Sequence, residues 1–437
     1  MQNTDYDDAE EKAYLTVQFF TSQHNLNGIP DYPFSVPDTA GHEELDDLVR
    51  KLSTGATADY LSETKKLDFL VDGRLLRVSL SEAVSEQRLG TERVVRVECV
   101  LRETAPSPHL NLPHQDWVSA VTASRNYILS GCYDNSVCVW SSEGKCLASN
   151  ANVHCGAVKA IGTVPLRSDE DNMQFVSASH DQTLILWELN TEGNSLSCVQ
   201  TFRGHERSVE CVCANSDGTR IASGGFDTYL KIWNTDPDLT DSAAASGLVG
   251  SSKKRKTATG TAKTQTPMVT LGGHREAVTG VCWSPRDAAE TVTASFDHSL
   301  IVWDLELAGQ KSSLTSNRSF TAVAVSPVSG LLVTGSVDKF VRLWDTRSKE
   351  GSMVRGVYTS HTGWVSCVDW SKTKEFLFVS GSYDGLLKMW DIRSSNAPLY
   401  DMSGHEDRIL ACHWSPQNLI ISGAADSTLK SFATTDL

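Results

Sequence analysis

One spacing governs what this chain can fold into: an Asp followed six residues later by a Trp. It occurs at Asp134/Trp140, Asp181/Trp187, Asp227/Trp233, Asp297/Trp303, Asp338/Trp344 and Asp384/Trp390. A seventh copy pairs Asp426 with Phe432. Chance spacing would give about one such pair among the 11 Trp of 437 residues, so the chain is built from internal repeats. Successive Asp lie 47, 46, 70, 41, 46 and 42 residues apart. A Ser or Thr stands four residues before each Asp: Ser130, Ser177, Ser223, Thr293, Thr334, Ser380 and Ser422. In six copies a His stands 20 to 27 residues upstream: His114, His154, His205, His274, His361 and His405.

A polar quartet that recurs in this way reads as a hydrogen-bond relay, its members satisfying one another inside each repeat. The segments between alternate in hydropathy, as in Leu230-Lys231-Ile232-Trp233 and Val341-Arg342-Leu343-Trp344, and suit half-buried strands. Small residues before the Asp, as in Gly335-Ser336 and Gly381-Ser382, suit tight turns. A period of about 40–45 residues matches a four-stranded blade. These residues resemble the WD40 family, which implies an all-β, seven-bladed β-propeller over 101–437. The structural relay is then expected at His114, Ser130, Asp134 and Trp140, at His205, Ser223, Asp227 and Trp233, and at His361, Ser380, Asp384 and Trp390. The fifth copy lacks its His, and Phe432 loses the indole donor. Pro113, Val153 and Ser360 replace the Gly that precedes the His in other copies. Only five residues follow Phe432, too few for an outer strand. Closure therefore requires a strand borrowed from upstream of the first blade, within 101–112, which also removes free sheet edges.

Residues 1–100 carry no repeat. Ala13 to Phe20 and Tyr32 to Val36 read as strands, and Leu45, Leu48, Val49 and Leu52 give a helical stripe over Gly41 to Leu52. Leu67 to Val71 and Leu75 to Val78 flank Asp72-Gly73, a hairpin signal, and Val94 to Val100 is a further strand. The order resembles a ubiquitin-like β-grasp (α+β) domain. Between Asp227 and Asp297 lies an insertion, 235–265, rich in Ser, Ala, Thr and Gly and expected to be disordered. It holds Lys253-Lys254-Arg255-Lys256, which reads either as a nuclear localisation signal or as a generic charged loop.

A β-grasp segment carrying Asp68-Phe69-Leu70 and Leu75-Leu76-Arg77, followed by seven repeats, resembles a small family of ribosome-assembly factors. Its members are the WD-repeat subunit of the pescadillo (PeBoW) complex and its sibling notchless. Seven repeats and Ala397-Pro398-Leu399-Tyr400-Asp401 place the resemblance with the pescadillo partner. It implies a non-enzymatic role in assembling the large (60S) ribosomal subunit and maturing its rRNA, in nucleus, nucleolus and nucleoplasm. The implied partners are pescadillo, the block-of-proliferation protein, pre-60S particles and the AAA ATPase midasin. The propeller would hold the complex while the N-terminal domain hooks midasin so that the complex is released. The family's hook is a carboxylate that completes a Mg²⁺ ion held by midasin's adhesion-type metal site. The chain would need no cofactor of its own. Hard cations of this kind take oxygen ligands and keep open positions. The matching loop is Arg88-Leu89-Gly90-Thr91-Glu92, and Glu92 is the matching residue; without the resemblance, one Glu beside a strand reads as a solvated side chain.

Composition narrows the alternatives. A net charge of −15 argues against a chain-wide nucleic-acid or membrane-surface binder. No stretch approaches the ~20 apolar residues of a membrane span, and the acidic start does not read as a secretory signal. The 11 Cys, scattered singly apart from Cys211-x-Cys213, read as reduced thiols. His, Ser and Asp recur at similar offsets in copy after copy, as a blade relay requires and a single active site does not, and no nucleophile elbow, P-loop or His-Glu-x-x-His occurs. His180 and His298, each beside a relay Asp, read as rim residues. The competing role is a WD40 substrate adaptor of a ubiquitin ligase.

Overall fold

The computed structural model describes residues 13–23, 26, 28–53, 65–86, 94–124, 126–165, 173–190, 193–236, 263–347 and 354–434. The chain divides into two compact units, 1–104 with 393–396, and the remainder of 105–437.

The first unit is a five-stranded mixed sheet with helices. Its strands are β1 (Tyr14–Phe20), β2 (Pro33–Pro37), β3 (Leu67–Val71), β4 (Arg74–Leu75) and β5 (Val95–Leu101), in the order β2-β1-β5-β3-β4. β1 and β5 are parallel and the other pairs antiparallel, the signature of a β-grasp. Helix α1 (His42–Leu52) opens where the Glu44 carboxylate accepts the Gly41 N–H at 3.2 Å, one of the donors a helix start leaves unmet. It buries Leu45 and Val49 against a core containing Val17, Phe19, Phe69 and Val97.

Two features depart from the sequence reading. The strand expected over Leu75 to Val78 stops at Leu75, because Leu76 turns inward and its N–H donates to the Phe69 carbonyl at 2.8 Å. A second helix, α2 (Leu80–Glu86), then follows, burying Leu80, Ala83 and Val84. It is too short for its periodicity to register in sequence.

The second unit is a ring of seven sheets, each with four antiparallel strands, here a to d from the axis outward. Blade 1, for example, runs Val118–Ser124, Tyr127–Cys132, Val137–Ser141 and Cys146–Asn150. The a strands pack blade against blade all the way round, the last (Ile409–Trp414) against the first (Val118–Ser124). Closure uses β6 (Ser107–Pro113), which pairs antiparallel with strand c of blade 7, Thr428–Ala433.

The far end of the insertion is ordered, contrary to the expectation for 235–265. Lys263–Gln265 forms a short strand parallel to strand d of blade 2, pairing with Gln200–Phe202 and giving that blade a fifth strand. A Ser/Ala/Thr/Gly-rich segment can still offer one bonded edge where Gln265 meets Gln200 side chain to side chain. Lys253, Lys254, Arg255 and Lys256 lie outside the described residues, as does Glu92.

Candidate functional site: blade relays and an aromatic face

The repeat positions meet as side-chain chains. In blade 3 the Trp233 indole N–H donates to Ser223 Oγ at 2.8 Å, Ser223 meets His205 Nε2 at 2.7 Å, and His205 Nδ1 meets Asp227 Oδ2 at 2.8 Å. Blade 6 repeats this through Trp390, Ser380, His361 and Asp384 at 2.8, 2.8 and 2.9 Å. Blades 2 and 4 do the same through Ser177 and Thr293. An ionised carboxylate only accepts, so Nδ1 carries the ring proton and donates; neutral Nε2 accepts from the hydroxyl, whose oxygen accepts from the indole.

The Asp also accepts the N–H after its His, for instance Thr362 at 3.0 Å, and one two residues on, Leu386 at 3.0 Å. It thereby clamps the loop entering strand a to the turn between b and c. That turn needs clamping, since the residue after the Asp is left-handed in every copy, including Thr228 at φ 71°. These bonds hold Asp181, Asp227, Asp297, Asp384 and Asp426 below the usual carboxylate range despite burial.

Blade 1 departs from the expected relay. His114 reaches Ser130 at 2.8 Å and Trp140 reaches Ser130 at 3.0 Å. Its Nδ1, however, meets the Leu112 carbonyl at 3.1 Å, and Asp134 bonds Ser136 instead. The His114 ring thus turns back onto its own chain two residues upstream instead of reaching the turn between b and c. Blade 5 has a substitute that sequence reasoning missed. Arg342 fills the gap left by the absent His, its guanidinium bonding both Asp338 carboxylate oxygens and reaching Ser336 at 2.7 Å. The signal was an Arg four after the Asp in the one copy without a His. In blade 7, His405 joins Ser422 and Asp426 at 2.8 Å each, and Phe432 packs without a donor.

The same end of the ring carries an aromatic chain that the sequence reading also passed over. It is built from two repeat offsets, three residues after the relay His and one before the Asp. Trp364 stacks on Tyr383 with centroids 5.7 Å apart. The Arg408 guanidinium lies 5.6 Å from the Tyr383 ring and 4.7 Å from the Trp117 ring. Trp117 meets Tyr133 edge-on at 5.2 Å, and Tyr133 meets His180 at 5.9 Å. His180 in turn lies 3.5 Å from the Glu210 carboxylate, and His298 is in a left-handed turn. Lys159 and Glu210 pair at 3.7 Å at the axis, whose channel measures about 330 Å³. All 11 cysteines are free, and burial pushes the Cys99, Cys132, Cys211 and Cys282 thiols up, away from nucleophilic use.

Comparison with known proteins follows this division. The NLE (NUC135) domain model matches residues 15–84, within the β-grasp unit. The WD domain, G-beta repeat model matches 107–141 and 196–234, and an EIPR1 beta-propeller model matches 261–432. The first WD match begins at β6 in blade 7 and ends in blade 1, so one repeat straddles two blades. A ribosome biogenesis protein WDR12 homolog of Ixodes scapularis is 43% identical over 97% of this chain and 99% of its own length. The chain belongs to the WDR12 family of ribosome biogenesis proteins. The Brugia malayi WDR12 homolog is 43% identical over 92% of each chain, and that of Aedes aegypti 40% identical over 97% and 96%. The WDR12 family is thus matched through both units rather than through the widespread propeller alone.

Proposed function

We propose that the chain is a non-enzymatic scaffold in assembly of the large ribosomal subunit, joining the pescadillo complex through its propeller and midasin through its β-grasp unit. The observation that carries this reading is the joint presence of the NLE domain and a full ring of WD repeats in one chain similar to WDR12 homologs end to end. The relays support a passive role for the propeller, because their His, Ser and Asp groups are spent on one another inside blades. Pescadillo, the block-of-proliferation protein and pre-60S particles are the partners, in nucleus, nucleolus and nucleoplasm, with Lys253, Lys254, Arg255 and Lys256 as the import signal.

In this reading Glu92 supplies the carboxylate that completes midasin's Mg²⁺, and pulling by the ATPase then strips the complex from the particle. A carboxylate oxygen suits a hard divalent cation, and the ion itself belongs to midasin. The test is capture of the full chain by midasin's metal-site domain, with Mg²⁺ or EDTA, comparing wild type, Glu92→Ala and Glu92→Asp. Binding that needs Mg²⁺ and is lost in Glu92→Ala is the expected result, with a drop of ~30-fold or more for a residue of this weight. Equal binding by the mutant returns Glu92 to the solvated loop. No binding by wild type brings the ubiquitin-ligase adaptor forward.

A further inference from the structure

The aromatic chain spans blades 6, 7 and 1 on one face, and nothing in the relays requires it. Trp364 is 52% exposed and Tyr383 41%, an unusual outlay of large rings on a surface. Trp, Tyr and Arg are the residue types that dominate binding energy at protein interfaces. Arg408 sits at its centre between two π faces. Its Nε is buried without a hydrogen-bond partner, and no carboxylate is paired with its guanidinium among the described residues. A planar cation gripped between rings, partly shielded from water and with its Nε unpartnered, is arranged to take a carboxylate from outside.

We propose that this face docks a protein segment presenting one carboxylate flanked by apolar side chains. The carboxylate pairs with Arg408, and its neighbours pack on Trp364, Tyr383, Trp117 and Tyr133. A nucleic-acid strand would satisfy the same rings and guanidinium, but the surrounding charge disfavours it. Glu406 and Asp407 stand exposed on the loop of Arg408 itself and would repel a repeating phosphate backbone there; the exposed cations Arg207 and Arg275 lie on other blades beside Glu206 and Glu276, and a lone carboxylate need approach only Arg408. The inference rests on the scaffold reading above, since it places that scaffold's contact on one face.

The test measures affinity of the full chain for the propeller of the block-of-proliferation protein, and separately for a 12-nucleotide uridine RNA. The variants are Arg408→Glu, Arg408→Lys, Trp364→Ala and, as a control on the same face, Arg207→Glu, each checked for an unchanged melting curve. Arg408→Glu should lose ~100-fold or more, and Trp364→Ala ~10-fold, as central anchors do. Arg408→Lys should lose ~10-fold, because an ammonium keeps the charge but not the fork. Arg207→Glu should bind as wild type. Partner binding unchanged in Arg408→Glu and Trp364→Ala overturns the docking face and leaves the scaffold reading intact. Absence of binding by wild type overturns both. RNA binding that depends on Arg408 overturns the protein-carboxylate inference.

Discussion

Two aspartates with the same place in the repeat hold different amounts of structure. Asp181 accepts from His154, Cys155 N–H, Thr183 N–H and the Thr183 hydroxyl, joining two loops. Among the described residues Asp134 accepts only from the Ser136 N–H and hydroxyl, in its own turn. Asp181→Asn should therefore destabilise by about 2–3 kcal/mol and Asp134→Asn by about 1 kcal/mol or less, since losing a charge-assisted buried bond costs more than losing a local one. Urea denaturation of the two variants measures the difference. What was legible at this scale was whatever repeats: the Asp, Ser and Trp positions stood out because every blade needs them. The swap of Leu112 for Asp134 as partner of His114, and of Arg342 for the missing His, were not legible, since each is set by one blade's neighbours.

At the scale of the element, closure of the ring hangs on β6. Leu112 is 5% exposed and pairs opposite Leu429, while Asn111 beside it faces solvent. Leu112→Asp puts an unpaired charge at the seam and should cost well over about 2 kcal/mol, with the chain running as aggregates in light-scattering chromatography as the edge of blade 7 is exposed. Asn111→Asp should run as wild type. The expectation of a closing strand within 101–112 agrees with β6, which covers Ser107–Pro113 and pairs with Thr428–Ala433. Helix α2 and the strand Lys263–Gln265 escaped notice because each is held by tertiary contacts that override weak local signals.

For the whole molecule, the blades interlock through a glycine seat. A side chain at Gly131, Gly224 or Gly381 would meet Val158, Val278 or Ile409, the first residue of strand a in the next blade. Gly423 does the same for Val118, so blade 7 seats on blade 1, and a Cβ there would lie 2.6 Å from Val118 Cγ1 and 2.8 Å from its carbonyl. Gly423→Val should lower stability by about 1–3 kcal/mol through overpacking, read as a lower melting temperature. Acid should loosen the ring in two stages. Burial holds His114, His274 and His405 neutral, with pKa below 6.5, so below that pH the unfolded chain binds more protons and stability falls. The relay carboxylates contribute stability that is present above 3.8 and lost as pH drops through their lower folded values. A melting series from pH 7.5 to 3 should fall first below 6.5 and again below 3.8. The aromatic face belongs to this scale too, and it was invisible in sequence because Arg408 and Trp117 are brought together only when the ring closes.

That closure joins Leu110 to Ser431, partners 321 positions apart. During synthesis at about 5–20 residues per second, β6 waits roughly 16–64 s for the strand that completes its sheet. Until then the chain has one unmatched seam at each end of a growing arc, and Trp117 and Arg408 stand on opposite sides of it. A partner that recognises the joined pair would engage only chains whose translation has run to the last blade, and would pass over a broken or unfinished copy.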